Sequence, residues 1–130
     1  MDKPKVFISH SHSDENWVRE FANSLQQHGL NVWFDSHSVP FGQSWTEAVE
    51  KGLRESNFIV LLVTPDSLRR PNLFLEIGAA MGMGKQLIPV VSKDLDPMAL
   101  PATLRERRYL LKSSPDITAQ EFVSQTITTQ

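Results

Sequence analysis

The residue with the clearest chemical potential is Glu76. It is the one acidic side chain in "NLFLEIGAAMGMGKQ", residues 72–86, amid Leu73, Phe74, Leu75, Ile77, Ala79, Ala80, Met81 and Met83. Burying an ionised carboxylate is costly unless something pairs with it or a reaction needs it. The plain alternative is a first-turn glutamate favoured by the helix dipole.

Other constellations are poorer. "GMGK" is too short for a phosphate-binding loop and sits at a helix end rather than a helix start. The loop after the first strand has no glycine, which excludes a dinucleotide fingerprint there. The four histidines are His10, His12, His28 and His37; no HExxH exists, and zinc would need ligands converging from elsewhere. Ser9 lacks the glycine neighbours of a nucleophile elbow. Asp14 can hydrogen-bond His10, but capping of the loop is the simpler reading. A phosphoacceptor site would want an acidic pair after the first strand, and "SHSHSD" stands there instead. Asp66 follows a proline after the third strand, and Lys93 follows the fourth. No metal is implied.

The bulk properties are those of an ordinary globular domain. The chain has 130 residues, 40% hydrophobic and 22% charged, which suits one domain with its own core. With no cysteine, disulfides and thiolate metal sites are excluded. A formal charge of −2 gives no broad attraction to nucleic acid. Local basic clusters at Arg69–Arg70 and Arg105–Arg108 read as solvated surface. "MDKPKVFISH", with only a short apolar run before polar residues, is expected to be neither a leader nor a membrane span. A cytoplasmic protein with no membrane and no direct nucleic-acid partner is expected.

The elements that must position Glu76 follow from periodicity. "KVFISHSHSD" reads as a strand, Val6 to Ser9, breaking into a loop in which Ser13 or Asp14 caps a helix. Trp17, Val18, Phe21, Ala22 and Leu25 form a helical stripe that Gly29 ends. Leu30 to Phe34 is a second strand. Pro40 and Gly42 punctuate the loop after it, and Ser44 with Glu47 forms a capping box opening a helix to about Ser56. "NFIVLLVT" is apolar without a break, as a central parallel strand buried on both faces should be. "NLFLEIG" then starts a helix, "QLIPVVS" is a fourth strand, "KDLDPMALPATL" is irregular, "RRYLLK" is a short last strand, and "TAQEFVSQTITT" is a weak terminal helix. This alternation predicts an α/β fold: a flavodoxin-like three-layer sandwich, its five-stranded parallel sheet ordered 2-1-3-4-5 with helices on both faces. Ligands in such sheets lie beyond the C-terminal strand ends.

Several pieces match one family in order. "VFISHSHSDENWVREFANSLQQHGLNVWFD" resembles the opening of a Toll/interleukin-1 receptor (TIR) domain, "FDSHSVPFGQSWTEAVEKGLRESNFIVLLVTPDSLRRPNLFLEIGAA" its middle, and "GKQLIPVV" its fourth strand. The resemblance covers nearly the whole chain and is to the bacterial style, so residues 1–130 are expected to form a single TIR domain, whether or not it was excised from a longer protein. It implies cleavage of NAD+ between nicotinamide and ribose, giving ADP-ribose or a cyclic isomer. NAD+ is then substrate, and no cofactor is implied. The family's catalytic glutamate falls, by position, on Glu76. The resemblance further implies substrate contacts from the segment of Phe7, Ser9 and His10, with a core aromatic as the equal alternative for Phe7; Asp35, Trp45 and Asn72 are further candidates for substrate contact, their alternatives being a turn aspartate, a core aromatic and a helix cap. It implies a partner surface on Val39, Pro40, Phe41 and Gly42 that meets other TIR domains in a homo-oligomer or filament. Antiphage defence signalling is the implied setting. The chain departs from the family at Asn72 and Arg70, where a tryptophan and a serine are usual.

Chemistry agrees with that assignment. Loss of nicotinamide leaves positive charge on the ribose carbon and ring oxygen, which a fixed carboxylate stabilises most in the transition state. The pyridinium leaves as a neutral molecule, so no general acid is required. Two other readings are a TIR–TIR adaptor without activity and a sensor that holds NAD+-like ligands without cleaving them.

Overall fold

A computed structural model describes residues 4–34, 51–69, 82–100 and 102–127. Five parallel strands form one sheet: β1 Lys5–Ser9, β2 Asn31–Phe34, β3 Phe58–Val63, β4 Gln86–Val91 and β5 Leu110–Leu111. Their order across the sheet is β2-β1-β3-β4-β5, the expected one. Helix α1 spans Glu15–Gln27, residues 51–55 are helical, α2 is the single turn Ala102–Arg105, and α3 spans Pro115–Thr126.

The sheet is central because β3 is apolar on both faces. Ile59, Leu61 and Val63 join Phe7, Leu53, Leu87, Leu100 and Leu104 in one core layer. Val60 and Leu62 join Val6, Ile8, Val18, Phe21, Leu25, Val90 and Phe122 in the other. Alternate residues of one strand therefore feed opposite layers. The second layer is where α1 and α3 pack. The α1 stripe does as its spacing requires: Val18, Phe21, Ala22 and Leu25 are buried. Gly29 takes φ +87°, and the N–H groups of Gly29 and Leu30 return to Gln26 and Leu25 carbonyls at 3.0 and 3.2 Å. The helix thus ends on a left-handed residue, as expected.

Three local readings need correction. The stretch expected to be irregular contains a 3-10 turn, Pro97–Ala99, with the Asp96 carboxylate accepting from Met98 N–H, and then α2. It forms because Leu100 and Leu104 close the first core layer. The terminal helix starts at Pro115 rather than near Thr118, because Ser114 accepts from Ile117 N–H and Pro115 occupies the first turn. Asp14 stands at the N-cap of α1, but its side chain makes no cap bond; its carboxylate is engaged elsewhere, as described below. The helix start at Asn72 and the loop after β2 lie outside the described residues.

One proline sits inside a strand for a definable reason. Lys112 N–H donates to the Val91 carbonyl and Ser92 N–H to the Val63 carbonyl. Neighbouring residues of β4 thus address opposite flanks, and Pro89, two before Val91, addresses the β5 side. β5 pairs only with Val90 and Val91. The missing N–H of Pro89 therefore faces a flank where the ladder has not begun.

Candidate active site

In a sheet of this order, the chain runs one way from β1 to β2 and the other way from β2 across β1 to β3. The C-terminal ends of β1 and β3 lie at that reversal, where ligands of such folds bind. Register places Ser9 beside Leu61, so Ser9-His10-Ser11 and Val63-Thr64 emerge at one mouth.

A hydrogen-bond network joins the two loops there. Ser11 Oγ donates to Asp14 Oδ2 at 2.7 Å, and Thr64 Oγ1 donates to the same oxygen at 2.9 Å. Ser13 Oγ donates to Asp66 Oδ2 at 2.7 Å and lies 3.0 Å from Ser11 Oγ. Within the β3 loop, Thr64 N–H donates to Ser67 Oγ at 2.8 Å, and Ser67 N–H returns to Thr64 Oγ1 at 3.2 Å. Ser67 is wholly buried. Hydrogen bonds to a charged acceptor are about twice as strong as neutral ones. The first turn after β1 is therefore fixed to the segment that leads from β3 toward Glu76. Sequence reading missed this role of Ser11, Thr64 and Ser67. The signal available was the pair of serine- and threonine-rich loops following adjacent strands.

The sequence-derived site residues divide in three. Ser9 and His10 lie at the mouth and are buried, at 1% and 3% exposure. Phe7 sits mid-strand, fully buried, with its ring stacked on Trp33 at a centroid separation of 4.7 Å. Gly52 packs so closely that a Cβ there would come within 2.8 Å of the Phe7 ring. Phe7 is thus placed in the core. Glu76, Asp35, Trp45, Asn72, Val39, Pro40, Phe41 and Gly42 lie outside the described residues, as does Arg70. Asp14 partners Ser11 and Thr64 rather than capping α1. Among the described residues no group of three or more His, Cys, Asp or Glu side chains is gathered to hold a metal ion. No helix among them is long and apolar enough to cross a membrane.

The family model described as "TIR domain" matches residues 6–123. The chain belongs to the TIR family. A relative from Acinetobacter baumannii (strain 1295743), named 2' cyclic ADP-D-ribose synthase AbTIR, is 32% identical over 93 residues, 68% of this chain and 35% of that protein. A second, from Methanobrevibacter olleyae, is named probable 2' cyclic ADP-D-ribose synthase TcpO; it is 40% identical over 62 residues, 47% of this chain and 18% of that protein. The chain thus spans about a fifth to a third of the length of these relatives. Among solved structures, the TIR domain of the Toll-related receptor TRR-2 from Hydra magnipapillata superposes with a TM-score of 0.76 at 18% identity, covering 92% of this chain and 93% of that one. That likeness is one of fold.

Proposed function

We propose that this TIR domain cleaves NAD+ at the bond between nicotinamide and ribose, with Glu76 as the catalytic carboxylate. The observation that carries the reading is kinship: the relative that matches 68% of the chain is named a cyclic ADP-ribose synthase. The place of Glu76 in the chain supports it. Residues 70–81 follow directly from a β3 loop that is bonded to the β1 loop at the sheet's reversal point.

The chemistry is a single bond cleavage followed by capture. The C1'–N bond breaks, and its electron pair leaves with the nicotinamide nitrogen, which becomes neutral. The ribose carries the resulting positive charge, shared between C1' and the ring oxygen. The Glu76 carboxylate stabilises that charge and accepts hydrogen bonds from ribose hydroxyls, as glycosidase carboxylates do. Capture by water, with loss of a proton, gives ADP-ribose. Capture by a nucleophile of the same molecule gives a cyclic isomer. NAD+ is consumed as substrate, and no further cofactor enters.

Activity in this reading rises with self-association through the loop "SVPFGQS", whose Phe41 would be a costly exposed aromatic in a monomer. The setting is cytoplasmic defence signalling against phage, in which NAD+ loss or a cyclic product is the output. The test is a time course at high protein concentration with products resolved by chromatography. One nicotinamide released per NAD+ lost supports the reading, and the second product separates cyclase from hydrolase. Absence of NAD+ loss when assembly is forced by crowding would favour the adaptor, for which Asn72 and Arg70 in place of the usual tryptophan and serine speak.

A further inference from the structure

A concavity lies at the other end of the sheet. A cleft of about 430 Å³ opens where β4 has begun and β5 has not. Gln86 and Leu87 line its β4 side, Arg107, Arg108 and Tyr109 its outer side, and Phe122 its floor on α3. Its origin is the shortness of β5. Because β5 pairs only with Val90 and Val91, the first half of β4 has an uncovered flank. By the same alternation that turns Pro89 outward, Leu87 directs its N–H and C=O into this notch.

The lining is chemically lopsided. It includes two arginines and no acidic residue. Arg108 is exposed and Arg107 half-buried. Among the described residues neither is engaged in an ion pair. The inner wall is apolar where half-buried Ile88 and Leu110 reach the cleft, above the fully buried Phe122 of the same core layer. The last turn of α3 borders the cleft and brings a partial negative charge of about half a unit. Two full positive charges outweigh it, and Thr126 Oγ1 already occupies the Phe122 carbonyl at 2.7 Å. A solvated basic patch needs neither a concave shape nor an apolar wall. This cleft has both, and its volume lies within the range of small-molecule sites.

We propose that this cleft binds a small organic phosphate of mononucleotide size. The Arg107 and Arg108 guanidinium groups take the phosphate, for which their planar forks are matched. Ile88 and Leu110, half-buried on the Phe122 side of the sheet, receive the flat apolar portion. The site is separate from the mouth at Ser9, His10 and Thr64, because the two lie at opposite ends of β4 and β3, roughly 20 Å apart along a six-residue strand. It does not depend on whether the chain cleaves NAD+.

The test is a titration of 15N-labelled protein with AMP, followed by backbone amide shifts, with inorganic phosphate and adenosine as separate arms. Saturable shifts at Gln86–Leu87, Arg107–Leu110 and Gln125–Thr126 are expected for AMP. Arg107→Ala with Arg108→Ala should weaken binding at least about tenfold. Arg105→Ala, in the same basic run but outside the lining, should leave it unchanged. Shifts confined to Ser9–Ser11 and Thr64–Ser67 would place AMP at the mouth and overturn the proposal. So would equal weakening by Arg105→Ala, which marks a diffuse basic surface, or inorganic phosphate binding as tightly as AMP, which leaves the apolar wall without a role.

Discussion

At the scale of single residues, the structure separates side chains that hold the mouth from those that hold the core. Thr64 is buried and donates to the carboxylate of Asp14. Thr64→Val keeps the shape and removes the donor. It should cost about 1–3 kcal/mol in urea unfolding, since a part-buried bond to a charged acceptor is lost together with the acceptor of the Ser67 N–H. Phe7 is packed between Trp33 and Gly52. Gly52→Ala should cost about 1–3 kcal/mol, because the new methyl must displace a stacked ring pair within a strand and helix contact. Phe7→Leu in the same chain should recover part of that loss, read as a non-additive double-mutant cycle. Equal and additive losses would show that the ring does not meet position 52. What the sequence discloses at this scale is uneven. Val18, Phe21, Ala22 and Leu25 are legible because helical spacing and burial are one fact. The Thr64–Asp14 bond is not, because it joins residues 50 apart through side chains whose rotamers only the fold sets. Glu76 is legible as a cost without a compensation, which marks a candidate but does not draw its surroundings.

Elements are legible where one physical effect dominates. The β3 run is apolar on both faces and lands in the middle of the sheet. β5 is harder, since "RRYLLK" is pinned by only a two-residue pairing. Its neighbours compensate: Trp17 Nε1 donates to the Ser113 carbonyl at 2.9 Å, and Lys112 Nζ lies 5.3 Å from the Trp17 ring centre. These contacts tie α1 to the strand-to-helix turn after β5. The start of α3 was misread because apolar periodicity is weak there, while the decisive signal is the Ser114 cap with Pro115 behind it. Ser114→Ala should lower stability by about 1 kcal/mol, measured by thermal or urea unfolding. Gly29→Ala is governed by backbone alone, since a Cβ there meets nothing within 4 Å. It should cost about 1–2 kcal/mol because φ is +87°. An unchanged midpoint would mean that the left-handed end of α1 is not held.

The molecule as a whole is a parallel sheet with two chemically distinct ends. One end carries the bonded serine and threonine loops from which residues 70–81 depart; the other carries the arginine-lined cleft. The order β2-β1-β3-β4-β5 was legible because alternating helical and strand periodicities leave few right-handed arrangements. Assembly is implied only by resemblance, and it is testable in bulk. Specific NAD+-cleaving activity should rise with protein concentration while light scattering reports growing assemblies. Flat specific activity across a wide dilution series of a monomer would remove self-association from the account. The central claim concerns the one carboxylate, and the direct measurement is NAD+ loss over time in wild type beside Glu76→Gln, which keeps the shape and removes the charge. NAD+ consumption in wild type, reduced by at least about 100-fold in a folded Glu76→Gln chain, is the predicted result. Equal rates in the two chains would contradict it and return Glu76 to a structural role.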